Sequence, residues 1–240
     1  MVQGRQRPLI SVLPASYDSH QPHDLVLAFH GRTNPAAQVR GYYDLERHAN
    51  RPTIFVYPSG LAGADGRFSW WNPGNRGDQL RDFALFDAIV QRFKQDYCIG
   101  DIYAVGHSLG ASMVNSLACA RGHVLRAAAS LAGGIEHTPC VGELAVMLIH
   151  NPNDRLVPLR YGLAARKRLL AAYPRPATGR PSEPAWLNCE RYGEPSDANP
   201  LLWCPHSKDH SRRGRYYPHN WPQGTGREIM RFFASLAEAD

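Results

Sequence analysis

Short, continuous apolar runs alternate along the chain with longer stretches in which apolar residues recur every three or four positions. A short apolar run is typical of a strand buried on both faces of a parallel sheet, and the second pattern is typical of a helix. The runs that predict buried strands are Leu25–Phe29, Thr53–Tyr57, Ile102–Val105, Leu125–Leu131 and Leu144–Ile149. Residues 8–14 predict an edge strand because prolines bound them, and Arg215–Tyr217 is the candidate for the last strand.

Helical periodicity occupies most of the chain between these strands. Apolar residues at positions 80, 83, 86, 89, 90 and 93 form a stripe on one face of a helix over residues 79–95. The other predicted helices span residues 38–48, 111 to about 121, 159–173 and 226–237. Strands that alternate with helices predict an α/β fold, with a mostly parallel, doubly wound central sheet, helices on both faces and a single domain over residues 1–240.

The segment Gly106-His107-Ser108-Leu109-Gly110 lies between a predicted strand and a predicted helix. A Gly-x-Ser-x-Gly motif in this setting is typical of a nucleophile elbow, a sharp turn that presents a serine hydroxyl at the top of a sheet. A serine hydroxyl is a poor nucleophile at neutral pH, so it needs an imidazole to take its proton and a carboxylate to orient that imidazole. Ser108 is therefore the candidate nucleophile.

Chain order and position select the partners of this serine. In an α/β-hydrolase the acid and then the histidine follow the nucleophile, on loops at the carboxyl ends of strands. Asp154 follows the strand predicted at residues 144–149 and is the candidate acid, with a helix N-cap as its alternative role. His219 precedes the last predicted helix and is the candidate base. His206 and His210 are interpreted as residues of a surface loop.

A serine that cleaves acyl groups also needs two N–H donors, because negative charge develops on the carbonyl oxygen in the transition state. The backbone N–H of Leu109 comes directly after the candidate nucleophile and is one candidate donor. The other is the backbone N–H of Arg32 or Thr33, in the loop after the first buried strand, where Gly31 permits a close approach of the backbone.

Aromatic residues near the predicted site are candidates for substrate binding. Trp70 and Trp71 lie in a glycine-rich loop over residues 61–77, where they either stack on an aromatic acyl group or a sugar, or pack the loop onto the core. Trp221 either walls the site or braces its loop. Together with His107, these three tryptophans are the predicted substrate-binding residues.

Residues 174–205 are rich in proline and charge. Long irregular segments in compact domains tend to be lids or binding loops. We therefore predict that this segment is an insertion over the site and that it sets the specificity for the acyl group and the alcohol.

Composition and charge narrow the class of protein. Hydrophobic residues are 43% and charged residues 20% of the chain, as in ordinary globular proteins. No apolar run approaches the ~20 residues of a membrane span. The net charge is +6, and the basic residues are scattered along the chain. A nucleic-acid-binding protein would gather them into one stripe. Scattered basic residues instead indicate a solvated surface with a mild preference for acidic polymers. Met1–Arg7 has no apolar core of a signal peptide, so we expect a cytoplasmic protein or one whose export signal is absent from this sequence.

No motif in the sequence requires a metal, a nucleotide or another cofactor. The expected partner is an ester substrate, either free or linked to a polymer, without nucleic-acid or membrane partners. We expect a monomer or a weak homo-oligomer.

Five motifs together resemble the family of feruloyl esterases and polyhydroxybutyrate depolymerases, which are mostly secreted α/β-hydrolase esterases. These motifs are Leu27–Gly31, Tyr57–Gly60, Tyr103–Gly110, His150–Pro158 and His219–Pro222, and the resemblance extends over nearly the whole chain. The resemblance implies an α/β-hydrolase fold, a secreted or periplasmic location, and Ser108, Asp154 and His219 as nucleophile, acid and base. The chain departs from the family pattern at Tyr217-Pro218, Ala111 and Asn151, which bears on the substrate more than on the chemistry.

The five cysteines also fit this family. A Cys98–Cys119 disulfide is reasonable, because the helix after the elbow returns antiparallel to the elbow strand, although Cys140 competes for Cys98. Cys189 and Cys204 can close a short loop. The alternative is that the thiols are buried and free.

The leading hypothesis is a serine carboxylesterase that cleaves hydroxycinnamate esters of plant polysaccharide through an acyl-enzyme. Polyhydroxybutyrate, acetylated xylan and small aryl esters are the competing substrates. A lipase is disfavoured because the sequence contains no amphipathic apolar lid. An α/β-hydrolase that serves only as a binding module is the alternative of a different class, and it is disfavoured because such proteins typically lose the nucleophile or the histidine.

Overall fold

The computed structural model describes residues 1–63, 66–71, 75–136, 138–173 and 175–237. Parts of the loop predicted at 61–77, namely residues 64, 65 and 72–74, lie outside the described residues, as does residue 174 of the predicted insertion.

The strands of these described residues follow the apolar runs of the sequence. In chain order they are β1 (Leu9–Val12), β2 (His23–Phe29), β3 (Thr53–Pro58), β4 (Leu61–Ala62), β5 (Phe68–Ser69), β6 (Ile99–His107), β7 (Ala127–Leu131), β8 (Ala145–His150), β9 (Arg180–Ser182), β10 (Cys189–Tyr192) and β11 (Leu201–Pro205). Nine of them form one sheet in the order β1-β3-β2-β6-β7-β8-β11-β10-β9, while β4 and β5 form a separate hairpin. The pairs from β3 to β11 in this order are parallel, and the outer pairs are antiparallel.

Helices cover both faces of the sheet. They are α1 (Ala36–Tyr43), α2 (Arg76–Asp96), α3 (Leu109–Ala120), α4 (Leu159–Ala172) and α5 (Thr225–Ala237). Side chains of α2, α3 and α4 join one core cluster, and side chains of α1 and α5 join the other. Strands β2, β3, β7 and β8 are buried along their whole length, which explains their continuous apolar character. The predicted doubly wound α/β fold is confirmed.

The region after α4 differs from the prediction. Residues Leu201–Pro205 form the last strand, parallel to β8, so the prediction of a last strand at Arg215–Tyr217 is wrong. The predicted insertion over the site is wrong as well, because β9, β10 and β11 extend one end of the sheet. The apolar run Leu201-Leu202-Trp203-Cys204 can pair with β8 because it presents buried side chains to both faces.

Two disulfides are present. Cys189 is bonded to Cys204, which joins β10 to β11. This pairing was expected from the sequence. Cys119 is bonded to Cys140, so the expected Cys98–Cys119 pairing is wrong and Cys98 is free and exposed. The segment before β8 is held beside the end of α3, since the Val141 N–H donates to the Cys119 carbonyl at 2.8 Å, and this brings Cys140 to Cys119. Within the described ranges no helix is long and apolar enough to cross a bilayer.

Candidate active site

Ser108 lies at the turn between β6 and α3, with φ 58° and ψ −123°. A positive φ is strained for a residue with a Cβ, so neighbouring structure must impose it. The Ser108 N–H donates to the Leu131 carbonyl at 2.9 Å, which ties the turn to the end of β7. The sequence motif therefore folds as a nucleophile elbow.

The two glycines of the motif are required by close backbone approaches. A Cβ on Gly106 would lie 2.3 Å from the Gly110 carbonyl oxygen, and a Cβ on Gly110 would lie 2.2 Å from the carbonyl oxygen of Phe29. Both distances are far below van der Waals contact. The absence of these side chains lets the end of β2 pack directly against the start of α3.

The structure brings together the three residues predicted as nucleophile, base and acid. His219 Nε2 lies 2.8 Å from Ser108 Oγ, and His219 Nδ1 lies 2.6 Å from Asp154 Oδ2. Because a carboxylate only accepts, Nδ1 carries the proton and Nε2 is free to accept from the serine hydroxyl. His219 and Asp154 are both buried.

Asp154 is held in its ionised form. Burial by itself would raise the pKa of this carboxyl, but hydrogen bonds outweigh that effect and leave the pKa below its usual value. His219 donates to Oδ2, while the N–H groups of Leu156 and Val157 donate to Oδ1 at 2.8 and 3.0 Å. The helix-cap role that was the alternative for Asp154 does not apply, because Pro158 precedes α4 and no side-chain cap is present there.

His107 is buried and is not among the described residues that line the cavity beside Ser108. Its Nε2–H donates to the carbonyl of His219 at 3.1 Å, and the Tyr42 hydroxyl lies 3.4 Å from its Nδ1. Burial lowers the pKa of His107 to about 3. The ring therefore stays neutral at a centroid distance of 4.9 Å from the ring of His219, and it adds no positive charge that would oppose an imidazolium there.

Trp221 braces the loop that carries His219, which is one of the two roles predicted for it. Its ring stacks on Tyr43, with centroids 4.0 Å apart and planes 10° from parallel. Next to it, the Asn220 side chain donates to the carbonyls of Tyr217 and Lys208 at 2.7 and 2.9 Å. The loop around His219 is thus anchored on both sides.

A second carboxylate, which the sequence did not point to, joins the loops of Asp154 and His219. Asp209 Oδ1 accepts from the side chain of Asn151 at 2.8 Å, and Asp209 Oδ2 accepts from that of Asn153 at 3.1 Å. Its backbone carbonyl accepts from the Tyr217 N–H at 2.7 Å. The available signal was the pair Asn151 and Asn153, just before Asp154, since loop asparagines often hold turns together by side-chain hydrogen bonds. That signal does not identify Asp209 as their partner.

His206, interpreted from the sequence as a surface residue, is fully buried at the start of the same segment, whereas His210 is exposed. Its Nδ1 accepts from the Lys208 N–H at 3.2 Å. Burial lowers the pKa of His206 to about 4, so the ring is neutral at physiological pH.

The loop after β2 is fixed by His30. Its Nδ1–H donates to the Gly31 carbonyl at 2.6 Å, and its Nε2 accepts from the Gly60 N–H at 2.8 Å. The indole N–H of Trp70 donates to the His30 carbonyl at 2.7 Å, and Trp70 is buried against Phe29. Trp70 therefore supports this loop, which is the second of the two roles predicted for it.

The same loop approaches the candidate nucleophile closely. A Cβ on Gly31 would lie 3.3 Å from the Cβ of Ser108. Of the two donors predicted here, Thr33 is excluded, because its N–H donates to the Phe68 carbonyl at 2.9 Å. In the described part of the chain no acceptor lies within hydrogen-bond distance of the N–H groups of Arg32 and Leu109. Both residues line one cavity with Ser108.

That cavity has a volume of about 580 Å³. Its walls are polar and apolar in about equal measure, with Trp71 and Tyr161 as the aromatic members and Arg32 and Glu136 as the charged ones. Trp71 is the one predicted substrate-binding residue that reaches this cavity. No described residue from 174–205 lines it, which locates that segment away from the site.

The wall formed by residues 134–136 is attached to α3 by three hydrogen bonds. Ser112 Oγ accepts from the Gly134 N–H at 3.0 Å, Asn115 donates to the Gly134 carbonyl at 2.8 Å, and Ser116 Oγ accepts from the Glu136 N–H at 3.1 Å. Helix α3 thus positions both the elbow and the opposite wall of the cavity.

The residues that the structure describes contain no group of three or more His, Cys, Asp or Glu side chains that could hold a metal ion. What the site offers chemically is a hydroxyl in contact with an imidazole, an ionised carboxylate behind it, and two free N–H groups.

Sequence comparison relates the chain to feruloyl esterases. It is 33% identical over 168 residues to a probable feruloyl esterase C of Aspergillus terreus, a match that covers 65% of this chain and 58% of that protein. It is 25% identical over 230 residues to feruloyl esterase D of Neurospora crassa, covering 88% of this chain and 76% of that protein. The match thus spans less than two thirds of the first relative's length. No family model matches the chain. The resemblance to feruloyl esterases seen in the sequence is confirmed.

Comparison of structures confirms the α/β-hydrolase fold. The crystal structure of a Bacillus cereus carboxylesterase is similar with a TM-score of 0.65 and 14% sequence identity, over 97% of this chain and 95% of that one.

Proposed function

We propose that the protein is a serine esterase that hydrolyses carboxylic esters, with Ser108 as nucleophile, His219 as base and Asp154 as acid. The observation that carries this proposal is the continuous pair of hydrogen bonds from Ser108 to His219, 2.8 Å, and from His219 to Asp154, 2.6 Å. The similarity to feruloyl esterases supports ester chemistry in particular, among the reactions that such a triad can perform.

The reaction proceeds in two halves. Ser108 Oγ attacks the ester carbonyl carbon while its proton passes to His219 Nε2, and the tetrahedral intermediate collapses when His219 protonates the departing alcohol. A water molecule then attacks the acyl carbonyl carbon and gives a proton to His219, which returns that proton to Ser108 Oγ as the carboxylic acid leaves. In both halves the ionised Asp154 stabilises the imidazolium, and the buried, neutral His107 leaves that charge unopposed.

The N–H groups of Arg32 and Leu109 stabilise the oxyanion. Both lie beside Ser108 and are free of other acceptors in the described chain. Because they belong to the backbone of a loop fixed by His30 and to the first residue of α3, they need little reorganisation when the charge develops.

The substrate that fits this site best is a hydroxycinnamate ester of a plant polysaccharide. A cavity of about 580 Å³ is in the size range of sites for small aromatic ligands, and Trp71 and Tyr161 supply aromatic walls. Tyr161 and Leu156 are partly exposed at this cavity, which leaves it open to an ester attached to a polymer. Two disulfides support folding in an oxidising, extracellular environment where such polymers occur.

A panel of esters tests the proposal. The wild-type protein and Ser108→Ala are assayed with methyl ferulate, 4-nitrophenyl acetate and a polyhydroxybutyrate film. We expect hydrolysis of methyl ferulate and a loss of roughly 10⁴-fold or more in Ser108→Ala. Activity on 4-nitrophenyl acetate alone would retain the esterase and remove the hydroxycinnamate substrate.

A fluorophosphonate probe separates the enzyme from a binding module. The probe reacts only with a serine activated by a base, so we expect it to label wild-type protein and not Ser108→Ala. Folded wild-type protein that stays unlabelled would contradict an esterase of any substrate class.

A further inference from the structure

A basic groove, made of two adjoining depressions, lies beside the loop that carries His219. The depressions have volumes of about 510 and 430 Å³ and share Arg212, Gln223 and Arg227 as lining residues. Lys208 and Trp186 line the first depression, and Arg47 lines the second. We use the name basic groove for this continuous surface.

The cations of the basic groove are exposed and largely unneutralised. Within the described ranges no carboxylate lies within ion-pair distance of Arg47, Lys208 or Arg212, whereas Arg227 is paired with Glu228 at 2.8 Å. Asp44 is an acidic residue that lines the second depression, and the first has no acidic lining residue in the described chain. The groove therefore has a net positive potential.

Two contacts fix the shape of the groove. Arg212 Nη2 donates to the Tyr42 carbonyl at 3.2 Å, so this long side chain has a defined position. The indole N–H of Trp186 donates to Glu228 Oε1 at 3.3 Å, which leaves the half-buried ring as part of the groove wall. An aromatic ring among cations offers a surface for stacking together with charges for anionic groups.

The groove is separate from the cavity of the proposed esterase but adjoins the same loop. The two share no lining residue in the described chain. Pro222 and Gln223 of the groove wall follow His219 by three and four residues. A long polymer held in the groove would thus lie beside the loop that carries His219.

We propose that the basic groove binds an acidic polysaccharide, with the carboxylates of uronate sugars at Arg47, Lys208 and Arg212 and a sugar ring on Trp186. The affinity for a polyanion follows from the groove alone, and the choice of a polysaccharide rests on the proposed function. The disulfides favour the same choice over a nucleic acid, because they form in oxidising compartments outside the cytosol.

Binding is measured by isothermal titration with polygalacturonate, with neutral arabinoxylan and with single-stranded DNA. The starting protein is Ser108→Ala, so that hydrolysis cannot alter the ligand. The groove variant adds Arg47→Gln, Lys208→Gln and Arg212→Gln, which spare the ion pair of Arg227 with the buried Glu228. The control variant instead adds Arg92→Gln, Lys94→Gln and Lys167→Gln, which remove the same charge from exposed positions on α2 and α4.

We expect polygalacturonate to bind more weakly as salt is added, with an affinity reduced about tenfold or more in the groove variant and by less than about twofold in the control. Equal losses in the two variants would overturn the groove as the site, provided that thermal melting shows both to be folded. Tighter binding of DNA than of polygalacturonate would overturn the ligand class. Failure of the esterase proposal would appear as unlabelled Ser108 in the unsubstituted protein and would leave these binding results unchanged.

Discussion

The two halves of the candidate site are held in place by different means. Ser108 and the loop after β2 are positioned by backbone contacts so close that Gly106 and Gly110 admit no side chain. Asp154 and His219 lie on loops that are joined by side-chain hydrogen bonds through Asp209 and Asn220. Disturbing the sterically fixed half should unfold it as a unit, whereas substitutions in the hydrogen-bonded half should lower activity while the fold persists. The predictions below test this difference.

The largest effect is expected from Asp154→Asn, in the hydrogen-bonded half. An amide can no longer fix the Nδ1–H form of His219 or stabilise its imidazolium, so kcat/KM should fall roughly 10⁴-fold while the fold persists. The measurement is kcat/KM for the best ester of the panel, with Asp96→Asn, an exposed carboxylate on α2, as control. A loss of less than tenfold would remove Asp154 from the proposed mechanism.

The next largest effect is expected from Gly110→Ala, in the sterically fixed half. The added Cβ would lie 2.2 Å from the Phe29 carbonyl oxygen, and this backbone cannot move without shifting β2. The free energy of unfolding, measured with urea, should decrease by about 3 kcal/mol or more. Gly41→Ala in α1, which meets nothing within 4 Å, is the matched control and should be neutral or stabilising. A soluble, active Gly110→Ala protein would show that steric contact does not hold this half.

A smaller, graded effect is expected from Asp209→Ala. Its loss leaves Asn151 and Asn153 without their acceptor and frees the loop of Asp154 relative to that of His219. We expect kcat to fall about tenfold with little change in KM, which corresponds to about 1.4 kcal/mol. Asp209→Asn keeps one oxygen acceptor and should recover part of kcat. A change confined to KM, or no recovery with asparagine, would contradict a positioning role.

At neutral pH the smallest effect is expected from His206, because its contribution to stability changes only when the pH is lowered. Burial lowers its pKa in the folded protein to about 4, below the value of about 6.5 in the unfolded chain. Between these values the unfolded chain takes up a proton that the folded protein excludes, so the free energy of unfolding decreases by up to about 1.4 kcal/mol per pH unit as the pH falls. This contribution to stability is complete above pH ~6.5 and is lost as the pH falls toward 4.

His206→Asn isolates this contribution. Asparagine can still accept from the Lys208 N–H but does not titrate, so its free energy of unfolding should fall less steeply between pH 6.5 and 4. His30 and His107, whose pKa values are lowered to about 4 and about 3 by burial, keep part of the slope in both proteins. Identical slopes would show that His206 takes up no extra proton on unfolding.

Features that depend on local patterns could be predicted from the sequence, and features that depend on contacts between distant residues could not. The elbow and the buried strands depend on local patterns, such as glycine spacing and continuous apolar runs, and these are visible in one stretch of chain. Asp154 and His219 could be selected by their order and by the strand or helix next to them. Asp209 could not, because its function consists of contacts with Asn151 and Asn153, which lie more than 50 positions away in the chain.

The sequence left two roles open for Trp70 and Trp221 for the same reason. Each was placed in the correct loop, but whether a ring faces substrate or core depends on a remote partner, Phe29 for Trp70 and Tyr43 for Trp221. The disulfide of Cys119 likewise depends on where the segment before β8 returns to the end of α3. Only the folded chain brings these partners together.

The ends of the sheet determine how the protein behaves among copies of itself. The outermost strand β9 has Pro181 at its centre, and a proline has no N–H to offer to a further strand. At the opposite end, β1 is bounded by Pro8 and Pro14. Neither end therefore offers a long, uninterrupted strand for pairing with a second molecule. The prolines at the two ends of the sheet act against edge-to-edge aggregation.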